Sequence, residues 1–378
     1  MRRREHLWET CWVWVQSIGR TWLATRIFTV GAAAVTSAVA AEPLSRAMKA
    51  WDAGWFLHIA EHGYGDEPGA PAFYPLYPLL LRLGGDVLGG NPVLAGFLLS
   101  FPLTLCAFAL LYALARLHVD EEEASRAVLY LALFPTAFYL HALYSEALFL
   151  VFALGAFLAA ERRRFTVAAA LAGAAMLTRP LGIAVLVGIA IFALRAPRRA
   201  AALRRLSIAP AVFALYPLLL AAQGRSALAF VSAEAHWRDT SLHGAVRGPY
   251  LGMLAAWNGA RDLTEGHGLF ALHSFVALLN VTAFLALVGF GCLSVLAWRR
   301  FGVPYGLYCL ISLAMPVAAP ADPWPLVSMQ RFVLALFPCF IVLGTLPIGR
   351  LAHRVLLALS AAAIVYLLVF WARREFVA

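Results

Sequence analysis

Apolar runs close to the length of a membrane crossing recur along this whole chain, separated by short connections in which arginine clusters. A crossing helix needs about 20 apolar residues. The runs fall near 22–41, 93–115, 124–141, 143–160, 165–177, 181–194, 206–222, 271–297, 303–319, 329–347 and 352–371. Inside a bilayer the backbone must satisfy its own polar groups, so such runs fold as helices. The pattern predicts an all-α polytopic membrane protein of about 11 transmembrane helices, with the lipid bilayer as its surroundings. It is one integral membrane domain over 1–378. The pair 165–177 and 181–194 is short and reads either as two short crossings or as a re-entrant pair. At 62% hydrophobic and 13% charged, the chain carries far more apolar surface than a soluble core can hide.

Charge sets the expected orientation. With the N-terminus inside, 19 of the 30 basic residues fall on the cytoplasmic side, among them Arg2–Arg4, Arg20, Arg26, Arg162–Arg164 and Arg299–Arg300. That bias fixes topology. It leaves Arg373 and Arg374 outside, against the trend. Only Lys49 is lysine and the arginines sit between apolar runs, so the net charge of +10 is loop charge, not a nucleic-acid footprint. Arg2–Arg4 ahead of an apolar run ending at Ala38-Val39-Ala40 resembles a secretory signal, but the run is as long as a full crossing, and a retained first helix is expected. Cys11, Cys106, Cys292, Cys309 and Cys339 show no ligand spacing and read as packing residues.

Two stretches, 42–92 and 223–270, are long external loops in this topology, and long ordered loops in a compact protein are usually functional. The first holds Trp51-Asp52-Ala53-Gly54-Trp55, His58, Glu61, His62 and Tyr64, closed by Phe73-Tyr74-Pro75-Leu76-Tyr77-Pro78. The second holds Glu234, His236, Trp237, Arg238, Asp239, Asp262, Glu265 and His267. Ionisable groups beside lipid are costly and mark function. An enzyme acting on a substrate held at the bilayer fits this pattern.

Trp51-Asp52-x-Gly54-Trp55-Phe56-x-x-Ile59-Ala60-x-x-Gly63-Tyr64, with Phe73-Tyr74-Pro75-Leu76-Tyr77-Pro78, resembles the first external loop of the PIG-V-like mannosyltransferases. Tyr144-Ser145-Glu146, Thr178-Arg179-Pro180, Tyr216-Pro217 and Ser328-Met329-Gln330-Arg331-Phe332 agree in order and spacing over about residues 20–350. The resemblance implies a glycosyltransferase of the GT-C type. Such an enzyme moves mannose from a polyprenyl-phosphate donor to a glycan, lipid or protein acceptor on the extracytoplasmic face of the cell membrane, in an inverting single displacement. The arginine- and alanine-rich composition looks like that of a bacterial relative.

Transfer to a hydroxyl needs a base for the acceptor proton and donors for the departing phosphate. Asp52 is the expected base, with Trp51 and Trp55 stacking on sugar; its alternatives are a helix cap or a partner of Lys49. Asp66-Glu67 is the rival carboxylate pair, or a plain turn. His58 and His62 share a helical face as substrate contacts or packing groups; their spacing suits a metal, but no third ligand stands nearby. Glu146 needs a partner, for which Arg179 and Arg331 are candidates, and either arginine can instead clamp phosphate. His236 and Trp237, with Arg238, are expected donor or acceptor contacts. Tyr74 and Tyr77 form a wall for sugar or prenyl chain, or an interfacial belt. No metal and no cofactor is called for, because a phosphate leaving group carries its own charge. The alternatives are a flippase or transporter for lipid-linked sugar, a membrane acyltransferase built on His141, and a GT-C enzyme using another sugar such as arabinose.

Overall fold

The computed structural model describes the backbone of residues 2–377 and the side chains from Ile18 to Val377; the side chains of Arg2–Arg4 and Cys11 lie outside the described residues. The described chain is helical, and no strand forms among those residues. Among the described residues, five segments are long and apolar enough to cross a bilayer: Ile18–Val39, Pro92–Ala115, Arg199–Ala222, Leu272–Phe301 and Arg350–Ala372. The chain is a multi-pass membrane protein.

The remaining apolar runs are shorter or broken. Phe165–Met176 and Gly182–Leu194 each rise about 18–20 Å at 1.5 Å per residue, less than the ~30 Å hydrocarbon core. The expected crossing at 124–141 is interrupted: the helix Glu121–Ala132 stops, and a 3-10 turn Ala137–Leu140 follows. The expected crossing at 329–347 is likewise three pieces, Met329–Phe332, Val333–Ala335 and Phe337–Gly344. Apolarity alone does not separate the two broken runs from spans, because their side chains are largely buried against other helices.

The two stretches read as loops are themselves helical. The first contains Asp52–His62 and Leu76–Val87; the second contains Ala229–Trp237 and Leu242–Asp262. Local signals start several helices. Asn91 caps Pro92–Ala115 through the amide of Leu94, and Asp120 with Glu123 forms a reciprocal capping box. A separate aromatic cluster of Tyr64, Tyr74, Tyr216 and Phe230 joins the first stretch to the crossing Arg199–Ala222 and to the start of the second stretch.

Arg26, assigned to the cytoplasmic side from charge, is instead buried within the first crossing. It donates to His141 Nδ1 at 2.6 Å and Ser100 Oγ at 2.7 Å, and lies 3.7 Å from the Phe101 ring centroid. A buried arginine persists in a span only with such partners.

Candidate active site

Four residues distant in sequence meet in one ion-pair network. Arg331 Nη1 lies 2.7 Å from Asp52 Oδ2, and its Nε lies 3.3 Å from Glu146 Oε1. Arg179 pairs with the same Glu146 oxygen through Nη1. Glu146 and Arg331 are nearly enclosed, at 6% and 7% side-chain exposure, whereas Asp52 is 28% exposed. Asp52 is therefore the exposed edge of the network.

Local structure delivers each group. Asp52 and Glu146 are the first residues of their helices, where the backbone dipole favours a negative charge. Trp51, just ahead of Asp52, has φ +59°, and Ser328, three residues ahead of Arg331, has φ +65°. Left-handed backbone at a non-glycine residue costs roughly 1–3 kcal/mol and persists where surrounding structure over-determines it. Arg179 sits in the turn between two short helices, and that turn closes because Gly182 lies against the backbone of Met176, where any side chain would collide. The Arg331 segment is pinned from both sides. Thr136 donates to the Gln330 carbonyl at 2.7 Å, and Gln330 Nε2 donates to the Leu279 carbonyl at 2.7 Å and to Thr282 Oγ1 at 2.9 Å.

A third arginine completes the cluster. The guanidinium carbons of Arg179, Arg238 and Arg331 lie 5.6, 5.3 and 5.5 Å from the centroid of Phe332. Arg331 also faces Tyr139 and Tyr144 at 5.4 and 5.3 Å. Arg238 donates to the carbonyls of Ala319 and Val327. Burial pushes its guanidinium down to about 10, with neighbouring Glu234 acting in the opposite sense. Glu234 is raised by burial, against the pull of Arg238 and Arg179. Tyr139 and Glu234 carried no signal in sequence that tied them to this cluster; only the packing of Arg331 and Arg238 does.

The other expected residues divide. Trp55 stacks on Phe73 at 5.6 Å and meets Trp237 edge-on at 5.4 Å, and Trp237 donates to the Gly69 carbonyl. His236 is exposed beside Trp237. These groups line the accessible side of the first helical stretch. Trp51 is 42% exposed and packs edge-on against Phe376. His58 and His62 stack on each other at 4.9 Å. Tyr77, 1% exposed, packs on Phe56, and Tyr74 packs on Tyr216 and Phe230. Both tyrosines are core groups and form no open wall: Tyr77 lies on the buried face of the helix Leu76–Val87, and Tyr74, ahead of that helix, is covered by Tyr216 and Phe230. Asp66 and Glu67 lie on an exposed turn whose carbonyls Arg225 binds, apart from the network. His141 is committed to Arg26.

Two cavities bear on chemistry. One of about 10 Å³ lies among Glu146, Arg179, Arg331 and Phe332; it holds a water at most. The other, of about 420 Å³, is an apolar groove between Leu272–Phe301 and Arg350–Ala372, with Thr136 and Gln330 in its wall.

Residues 29–196 match the family model described as Mannosyltransferase (PIG-V). Two curated relatives, both GPI alpha-1,6-mannosyltransferase 2, are 36% (Rattus norvegicus) and 35% (Mus musculus) identical over 134 residues. That alignment covers 32% of this chain and 27% of each relative. The archaeal oligosaccharyltransferase AglB from Archaeoglobus fulgidus, solved with an inhibitory peptide and a dolichol-phosphate, superposes on 93% of this chain and 56% of its own. Its TM-score is 0.44 at 12% identity. The matched segment, less than half of the chain, carries Asp52, Glu146 and Arg179, three of the four members of the ion-pair network, and over that segment the chain is similar to the PIG-V mannosyltransferases.

Proposed function

We propose that this chain is a GT-C-type glycosyltransferase that moves mannose from polyprenyl-phosphate mannose to an acceptor hydroxyl at the extracytoplasmic face. The observation that carries this reading is the network in which Asp52 alone is open while Glu146 and Arg331 are enclosed. In the proposed step Asp52 takes the acceptor proton as the acceptor oxygen bonds to the anomeric carbon. The bond from that carbon to the phosphate oxygen breaks on the opposite face, with inversion, and polyprenyl phosphate departs with the electron pair. Arg331, Arg179 and Arg238 supply the positive field around the leaving phosphate, each held beside Phe332. Glu146 keeps two of them in place.

The sugar docks on the Asp52 side, because the ~10 Å³ cavity behind it is too small. Trp55 and Trp237 offer aromatic faces there. The apolar groove suits the prenyl chain: it is about 420 Å³, and Gln330 in its wall is the neighbour of Arg331, so a tail in the groove leads its phosphate towards the arginines.

The test is transfer of radiolabelled mannose from its polyprenyl-phosphate carrier in membranes containing this chain, beside an equally abundant Asp52→Asn twin. Transfer by the first and none by the second supports donor and base together. Equal transfer by both removes Asp52 as base. Consumption of a different lipid-linked sugar, such as arabinose, changes the donor and keeps the class.

A further inference from the structure

The turn joining Leu242–Asp262 to Leu272–Phe301 gathers four side chains that no step above uses. His267 Nε2 lies 3.6 Å from Glu265 Oε2, and His273 Nε2 lies 3.9 Å from the same oxygen and 3.7 Å from Asp262 Oδ2. The donor atoms of Glu265, His267 and His273 all fall within 4.8 Å of one another. In a tetrahedral zinc site with bonds of about 2.0–2.1 Å, neighbouring donor atoms stand about 3.4 Å apart. The three contacts, at 3.6–3.9 Å, exceed that by a few tenths of an ångström. Side-chain rotation closes such a gap.

We propose that Asp262, Glu265, His267 and His273 form a divalent-metal site, with zinc the favoured ion. Two imidazoles and two carboxylates are a mixed nitrogen and oxygen set, which suits zinc over magnesium or calcium. The two carboxylates balance the ion's charge, and neutral imidazoles complete the shell.

The backbone beneath the four groups is already fixed. Gly266 holds φ +80°, so the chain reverses between Glu265 and His267 without a side-chain clash. Ser274 donates to the His267 carbonyl, and Tyr366 donates to the Leu269 carbonyl at 2.7 Å. Gly259 sits against the Ala277 backbone, bringing the two helices together just below the turn. Binding therefore orders four side chains and not a loop, which keeps its entropic cost small. Phe275 and Tyr366, which flank this turn, also line the apolar groove, so a bound ion stiffens one end of it.

The test uses the full chain in detergent at pH 7.5. Protein stripped with a chelator is titrated with zinc by calorimetry, and amide hydrogen exchange is followed across residues 263–271. The expected result is one tight equivalent that magnesium does not displace, with slowed exchange in that turn and, for cobalt-loaded protein, the intense visible bands of four-coordinate geometry. His267→Ala/His273→Ala abolishes the equivalent and the exchange protection, and Asp262→Asn weakens it by about 10–100-fold. Both histidines are exposed, so the double variant keeps its core. Equal zinc binding by wild type and double variant, or no equivalent in wild type, overturns the site. A His58→Ala/His62→Ala control that removes the equivalent overturns it too, by moving the ion to the stacked pair.

Discussion

Asp52 and Glu146 share Arg331, yet their removal should have opposite signatures. Glu146 is 6% exposed and carries two guanidiniums; Glu146→Gln leaves Arg179, itself 12% exposed, without its carboxylate. Breaking a buried pair by removing one member costs about 3–5 kcal/mol. Arg331 keeps Asp52, so the lower end, about 3 kcal/mol, is expected. Asp52 is 28% exposed, and Arg331 keeps Glu146 when it goes, so Asp52→Asn should cost about 1 kcal/mol or less. For mannose transfer the order reverses at the chemical step: Asp52→Asn should lower the rate by about 10²–10⁴ in protein that remains folded. Stability is read by tryptophan fluorescence across a denaturant series in detergent, and transfer is read on the same preparations. Arg179→Met placed on Glu146→Gln should recover about 2 kcal/mol, since the stranded charge is gone. Asp52→Asn as destabilising as Glu146→Gln would refute the division, making Asp52 a structural ion; a neutral Glu146→Gln would refute the buried network.

Three further outcomes follow from the same geometry. Gly289 faces open space in the apolar groove, so Gly289→Trp should fold normally and fill it; transfer from long-chain donors should fall while short-chain donors lose less, as measured by rate against prenyl length. A methyl at Gly248 meets the Val317 carbonyl, whereas one at Gly252 meets the movable Leu326 side chain, so Gly248→Ala should cost about 1–3 kcal/mol in unfolding and Gly252→Ala less. Burial raises Glu234, so its contribution to stability is full below the ordinary glutamate range and declines as pH climbs through its raised value. Stability curves of wild type and Glu234→Gln should therefore converge at about pH 4 and separate above it, with the variant gaining.

Much of the site was legible as separate motifs. Asp52 announced itself through Trp51, Gly54 and Trp55, and the need of Glu146 for a cationic partner pointed to Arg179 and Arg331, which do pair with it. What could not be read was which aromatic residues stay exposed. Tyr74 and Tyr77 share a motif with Phe73, but Tyr77 is buried on the inner face of the helix Leu76–Val87 and Tyr74 under Tyr216 and Phe230, contacts that only the folded chain makes. Arg26 misled for the same reason: in sequence it continues a basic N-terminal region, while in space His141 and Ser100, from other elements, make its burial tolerable.

By itself the sequence determined the solvent. Apolar runs of crossing length, with arginine between them, leave only helices in a bilayer. It also determined which ionisable groups stand at the ends of those runs. Tertiary structure decided which runs are continuous, since 124–141 and 329–347 break where buried turns bring Thr136, Tyr139 and Arg331 together. It decided, too, that Asp52 stays open while Glu146 closes. Hydropathy is a property of each segment alone, but the burial of a charge is set by contacts among residues 52, 146, 179 and 331, which only the folded chain makes neighbours.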